Sequence, residues 1–212
     1  MGKCLAKLLP IIVNNPDLHA KWLNTLSFLE YIGFRKIVKS QIAEQLDLET
    51  LGHAVEEGRH ALLLKKRAVK TGGLNFKTYS AESLLCGTAA EAYFQSLDRA
   101  CSDQLGVDMA PEKSTRLTYL YVTWLVELRA LSVYGLYQEA LAATGASPPL
   151  NGLLAEEDQH LTSVAQELLK SDIHFSARAN DLKTIEETLY QNLISVLWQE
   201  LMISEGSVAA SL

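Results

Sequence analysis

The chain has 212 residues with a 48% hydrophobic share, only 12 Gly and 5 Pro, and 19 basic against 25 acidic side chains, for a formal net charge of −6. This composition, with few alternating β-branched runs and no Pro/Gly/Ser-rich linker, excludes a sandwich or barrel and predicts one all-α domain over 1–212. The acidic balance disfavours nucleic acid; Cys4, Cys86 and Cys101 lack the C-x-x-C spacing of a zinc ribbon or rubredoxin-type iron centre; and no apolar run reaches membrane-span length.

The apolar run from Leu5 to Val13 is short, is interrupted by Lys7 and Pro10, and has no small-x-small cleavage pattern, so a cytoplasmic location with reduced thiols is expected. A short segment of one or two helical turns should precede Asn15-Pro16, where a cap residue followed by proline starts a helix reaching about Gln41 or Gln45. One face of that helix reads Leu23, Leu26, Ser27, Glu30, Gly33, Phe34, Ile37, so a carboxylate interrupts a core stripe.

Asp47 can cap the next helix, which carries His53, Glu57, His60, Ala61 and Leu64 on one face and ends near Gly72-Gly73. A further helical stretch, from Leu74 to about Ala110 with Ser80 as its cap, serves as a crossover to the other side of the molecule. Pro111 opens a helix whose inward face reads Leu120, Thr123, Trp124, Glu127, Ala130, Leu131, Tyr134. Again a single Glu interrupts the stripe.

After Ser147-Pro148-Pro149 another helix shows Leu153, Leu154, Glu157, His160, Leu161 and Val164 on one side. Glu127 and Glu157 match in height only if the preceding helix ends early or the 144–152 segment folds back by roughly 10 Å. A last helix over about 176–204 repeats Leu182, Ile185, Leu189, Leu193, Val196, Leu197 and should pack on the outside.

Glu57 and His60 are three apart, and so are Glu157 and His160. On a helix each pair presents a carboxylate and an imidazole in one direction. Two Glu-x-x-His helices and two helices with a lone inward Glu form the donor arrangement of di-iron and di-manganese bundles. The candidate metal ligands are therefore Glu30, Glu57, His60, Glu127, Glu157 and His160. Four buried carboxylates would be costly without cations, and two divalent metals would balance their charge. Iron suits this donor set, with manganese or a mixed Fe/Mn pair also compatible. His53, four before Glu57, shares the same face and is a candidate extra ligand, against the plainer reading of a histidine bonded to a neighbour one turn above the site.

Over roughly residues 15–170 this order of residues resembles the ferritin-like di-iron carboxylate superfamily, which includes bacterioferritins, rubrerythrins, ribonucleotide reductase small subunits and multicomponent monooxygenases. The resemblance implies a four-helix bundle with, here, a long helical crossover between the hairpins and an additional C-terminal helix. In several of these families an acid preceding the Glu-x-x-His motif accepts a hydrogen bond from the ligand His of the opposite motif. Glu56-Glu57-Gly58-Arg59-His60 matches that pattern, and Glu156-Glu157-Asp158-Gln159-His160 matches it except for Gln159 in place of Arg. By resemblance, Glu56, Glu156 and Arg59 would orient the ligands.

The resemblance implies a non-haem di-iron oxidase or oxygenase that takes O2, a small organic substrate and electrons from a donor, and works as a small oligomer such as a homodimer, with neither nucleic acid nor membrane as partner. Gly33 and Ala130 could leave substrate space, with Phe34, Trp124 and Leu131 as apolar walls. Leu64 stands where a ribonucleotide reductase of the common type would carry its radical tyrosine, and the C-x-x-C domain usual in rubrerythrins is absent. A ferroxidase or iron-storage protein is the alternative, and a metal-free helical interaction protein the third reading.

Overall fold

The computed structural model describes residues 3–40, 46–105, 109–145 and 150–209. These form α1 (Lys3–Asn14), α2 (Pro16–Ser40), α3 (Leu48–Gly72), α4 (Gly87–Leu105), α5 (Pro111–Ala143), α6 (Asn151–Ser171) and α7 (Phe175–Ala209), with two 3-10 turns at Leu74–Phe76 and Ala81–Ser83. Among the described residues there is no strand, and no helix is long and apolar enough to cross a membrane.

The N-terminal segment is longer than its composition suggested, since α1 runs for 12 residues through Pro10. Its Leu5, Leu8, Leu9 and Ile12 are fully buried, and the helix packs on α5 and α2. Apolar burial outweighs the cost of the internal proline. Asn15 then caps α2, its Oδ1 accepting from the N–H groups of Asp17 and Leu18 at 3.1 and 3.2 Å. The expected end of this helix at Gln41 or Gln45 lies outside the described residues.

α2 and α3 form an antiparallel hairpin. Ala20 faces Gly72, and Phe34 lies against Gly58. Asp47 caps α3 by accepting from Thr50 N–H at 2.7 Å, and Gly73 closes it with φ 85°, a left-handed conformation suited to glycine. The connection that follows differs from the single helix expected. Ser80 makes no side-chain cap, Leu84 and Leu85 lie outside any helix, and α4 begins only at Gly87. Asn24 of α2 anchors the irregular piece, donating to Ser83 O at 2.9 Å and Thr78 O at 3.1 Å. These bonds satisfy backbone groups that a helix would have paired internally.

The α5/α6 hairpin solves the height mismatch anticipated from the sequence. α5 does not end early; instead Leu150 N–H donates to Gln138 Oε1 at 2.8 Å. The chain has thus returned to the level of residue 138 before α6 begins, about 7 Å short of the end of α5. Arg116 pairs with Glu167 further along, completing an antiparallel register.

α7 runs antiparallel to α4, with Tyr93 donating to Glu186 at 2.7 Å and Cys86 N–H to Glu200 at 2.8 Å. Arg129 of α5 joins this layer through Glu186 and Glu187, each at 2.6 Å. α7 packs chiefly on α4 and touches α1 and α5. Its Tyr190, Leu193, Ile194 and Leu197 also line an apolar cavity.

Candidate metal centre

Glu30 on α2, Glu57 and His60 on α3, Glu127 on α5, and Glu157 and His160 on α6 are all buried. The two hairpins bring them together in the interior as two adjoining groups. One comprises Glu30, Glu57, His60 and Glu157, the other His53, Glu57, Glu127 and His160, and within each group one donor atom per residue lies within 4.8 Å of all the others. Glu57 belongs to both. Glu157 also reaches both imidazoles, with Oε1 3.0 Å from His60 Nδ1 and Oε2 3.7 Å from His160 Nδ1.

The histidines are held from behind. His60 Nε2 lies 2.6 Å from Glu156 Oε2, and His160 Nε2 lies 2.7 Å from Glu56 Oε2. Arg59 donates to Glu156 at 2.6 Å. The three residues expected to orient the ligands thus touch them or each other, and each acid serves the imidazole of the opposite helix. A carboxylate in this position accepts, so each Nε2 carries a proton and each Nδ1 faces the interior. Those two Nδ1 atoms, with Glu57 Oε1 and Glu157 Oε1, are buried without a hydrogen-bond partner. Buried polar atoms are almost always paired, so these four, which belong to the two adjoining donor groups, are placed where they could hold an electron-pair acceptor.

The electrostatics agree. Burial, then the charges of Glu30 and Glu157, push Glu57 well above the usual carboxylate range. Burial also raises Glu30 and Glu127, with Glu157 adding to both. Glu157 is instead held low against the effect of burial, by Glu127 and the two histidines beside it. Burial would lower His60, but the carboxylates of Glu157 and Glu30 beside it win and lift it to about 11. Without cations, protons must do the work of neutralising the cluster.

His53 combines both readings given to it. Its Nε2 is 3.0 Å from Glu127 Oε1 and 3.5 Å from Glu57 Oε1, so it is bonded to a neighbour, yet it also belongs to a four-donor group. Burial and the nearby His160 charge depress it to about 3, which keeps the ring neutral.

Tyr134, one helical stripe along α5, donates its hydroxyl proton to Glu30 and is buried. The sequence placed it only among apolar core positions; a tyrosine two turns beyond an inward Glu was the available signal.

Two cavities of different character reach the carboxylates. An apolar one of about 100 Å³ touches Glu30, Glu57, Glu127 and Glu157. Gly33 and Ala130 border it, whereas Phe34, Trp124 and Leu131 are placed elsewhere. Phe34 packs on Gly58, Trp124 stands edge-on to Phe175 at 5.4 Å, and Leu131 is half-buried elsewhere on α5. The actual walls come largely from Trp22, Tyr93, Phe94 and α7. Gly33 itself leaves its space to Glu57: a Cβ there would meet Glu57 Oε2 at 2.8 Å. The second cavity, about 280 Å³, runs from hydroxyl-bearing side chains such as Ser114, Thr115, Thr118 and Thr123 to His53, Glu57 and Glu127.

Comparison with protein-family models, curated proteins and solved structures finds no match to this chain.

Proposed function

We propose that this chain is a non-haem di-iron protein of the ferritin-like carboxylate type, an oxidase or oxygenase that uses O2 to oxidise a small organic substrate. The observation that carries the reading is the convergence of four orphaned buried donor atoms on two adjoining groups that share Glu57. Glu30, His60 and Glu157 would hold one ion, Glu127, His160 and His53 the other, with Glu57 between them. Such donors suit iron, and manganese or a mixed pair is compatible. A bound pair of this kind supplies two-electron reduction of O2, with electrons returned by a donor.

The chain's own residues would do the rest. Glu56 and Glu156 hold the imidazoles in the tautomer that directs Nδ1 inward. Tyr134 donates to Glu30 and orients that carboxylate. The apolar cavity receives the organic molecule beside the carboxylates.

A ferroxidase function is the second reading, favoured by the second cavity, which brings the hydroxyl groups of Ser114, Thr115, Thr118 and Thr123 together with Asp98 on a path to Glu57 and Glu127, among Lys36 and apolar side chains. Anaerobic Fe(II) loading tests both. The parent should bind two irons per chain, and Glu57→Ala and His160→Ala should lose most of that binding; variants that load like the parent sink the metal centre. Exposure to O2 then separates the readings, because growth of a many-iron mineral favours the ferroxidase.

A further inference from the structure

We infer that the apolar cavity takes an uncharged, linear alkyl compound, threaded from Cys86 toward the carboxylates; this substrate class rests on the di-metal reading above. The shape carries the first part. α2 lines the cavity from Trp22 to Gly33, a run of roughly 16 Å at about 1.5 Å per residue. Its volume is nevertheless only about 100 Å³, below the roughly 150 Å³ of an apolar cavity that accepts benzene. A void bordered over that length with so small a volume is narrow, and it fits a short alkyl chain better than a ring.

The direction follows from the ends. Thr25, near the Trp22 end, is tied to Leu85: its Oγ1 accepts from Leu85 N–H at 2.8 Å. Cys86 follows Leu85 and borders both the internal cavity and a surface groove flanked by Leu84, Val196 and Glu200. The mouth is therefore at Cys86, and Glu30, Gly33 and Glu57 form the opposite end.

Charge carries the remaining part. Among the described residues lining the cavity Arg129 is the single cation, and its guanidinium is committed to Glu186 and Glu187. An anionic head drawn inside would lie unpaired among apolar walls and face four carboxylates, so the charge is excluded.

Calorimetric titration with methanol, ethanol, 1-propanol, 1-butanol, 1-hexanol and butanoate tests this, on metal-free protein and on protein loaded anaerobically with Fe(II). Affinity should rise about fourfold per methylene until the cavity is filled, and butanoate should bind at least about tenfold more weakly than 1-butanol. Ala90→Phe, which fills the wall, should cut 1-butanol affinity about tenfold or more, and Ile194→Ala should extend the rise to longer chains. Both should keep the parental iron stoichiometry. Affinity independent of chain length, butanoate equal to 1-butanol, or an unchanged length profile in Ile194→Ala overturns the inference. The two readings fail separately: loss of the length series leaves the iron count intact, and absence of iron binding leaves the series intact in metal-free protein.

Discussion

Glu156 of α6 accepts from His60 of α3 at 2.6 Å, so an acid on one hairpin fixes the imidazole of the other. Removing such a partner leaves every donor atom in place but frees the ring to turn. Glu156→Ala and Glu56→Ala should each lower metal affinity by about 10- to 100-fold, measured by competition with a chromophoric chelator. Affinity equal to the parent in both would show that these acids are merely surface charges.

Gly33→Ala separates folding from metal binding. Alanine is favoured over glycine inside a helix by about 1 kcal/mol, and the close contact is with the movable end of Glu57. The metal-free variant should melt at or above the parental temperature while binding metal at least about tenfold more weakly. A parental metal affinity would mean that Glu57 has room to move without consequence.

The α5/α6 register rests on Gln138, whose Oε1 accepts from Leu150 N–H. Gln138→Ala should cost about 1 to 3 kcal/mol of stability in denaturant unfolding, since it strands a part-buried amide. It should also weaken metal binding, because Glu157 and His160 follow Leu150 on the same helix. Unchanged stability would show that the α5/α6 contacts alone fix the register.

Metal-free protein should lose stability as pH rises above about 6.5. In that range His53, already depressed to about 3, and Glu157, held below its ordinary value of 4.5, do not change state in the folded protein. Their unfolded counterparts are also largely deprotonated there. Glu30, Glu57 and Glu127 are raised and His60 is lifted to about 11, so the folded protein keeps protons that the unfolded chain releases. Stability from a raised group is present below its unfolded value and is lost as pH rises through its folded value. Melting temperatures of chelator-treated protein at pH 7 and 9 should therefore fall, whereas the metal-loaded protein should resist the fall because cations replace those protons. Equal slopes with and without metal would contradict this account.

Much of the candidate site was legible because its signals are local. Glu-x-x-His spacing needs only helical geometry, and Asn15, Asp47 and Pro111 mark helix starts by chemistry confined to one turn. What the sequence concealed depends on partners far along the chain. Ser80 looks like a cap, but Asn24 and Ser83 claim the backbone groups of its neighbourhood. Phe34, Trp124 and Leu131 lie on the correct helices, yet periodicity gives a face without saying which helix covers it. The same pattern in α7 reads equally well as an outer helix or as a cavity wall, and only the position of α4 beside it decides. The first helix looked like one or two turns, and only the apolar contacts of Leu5, Leu8, Leu9 and Ile12 with distant helices sustain α1 over its full length.

The crossed pairing of acids and imidazoles bears on how such sequences can diverge. Position 56 answers to position 160, and position 60 to position 156. Neither half-motif can drift alone without releasing an imidazole on the other side of the interior. In a collection of sequences sharing this fold, those two distant pairs should change together. A chain that lost one acid should have lost the opposite histidine as well.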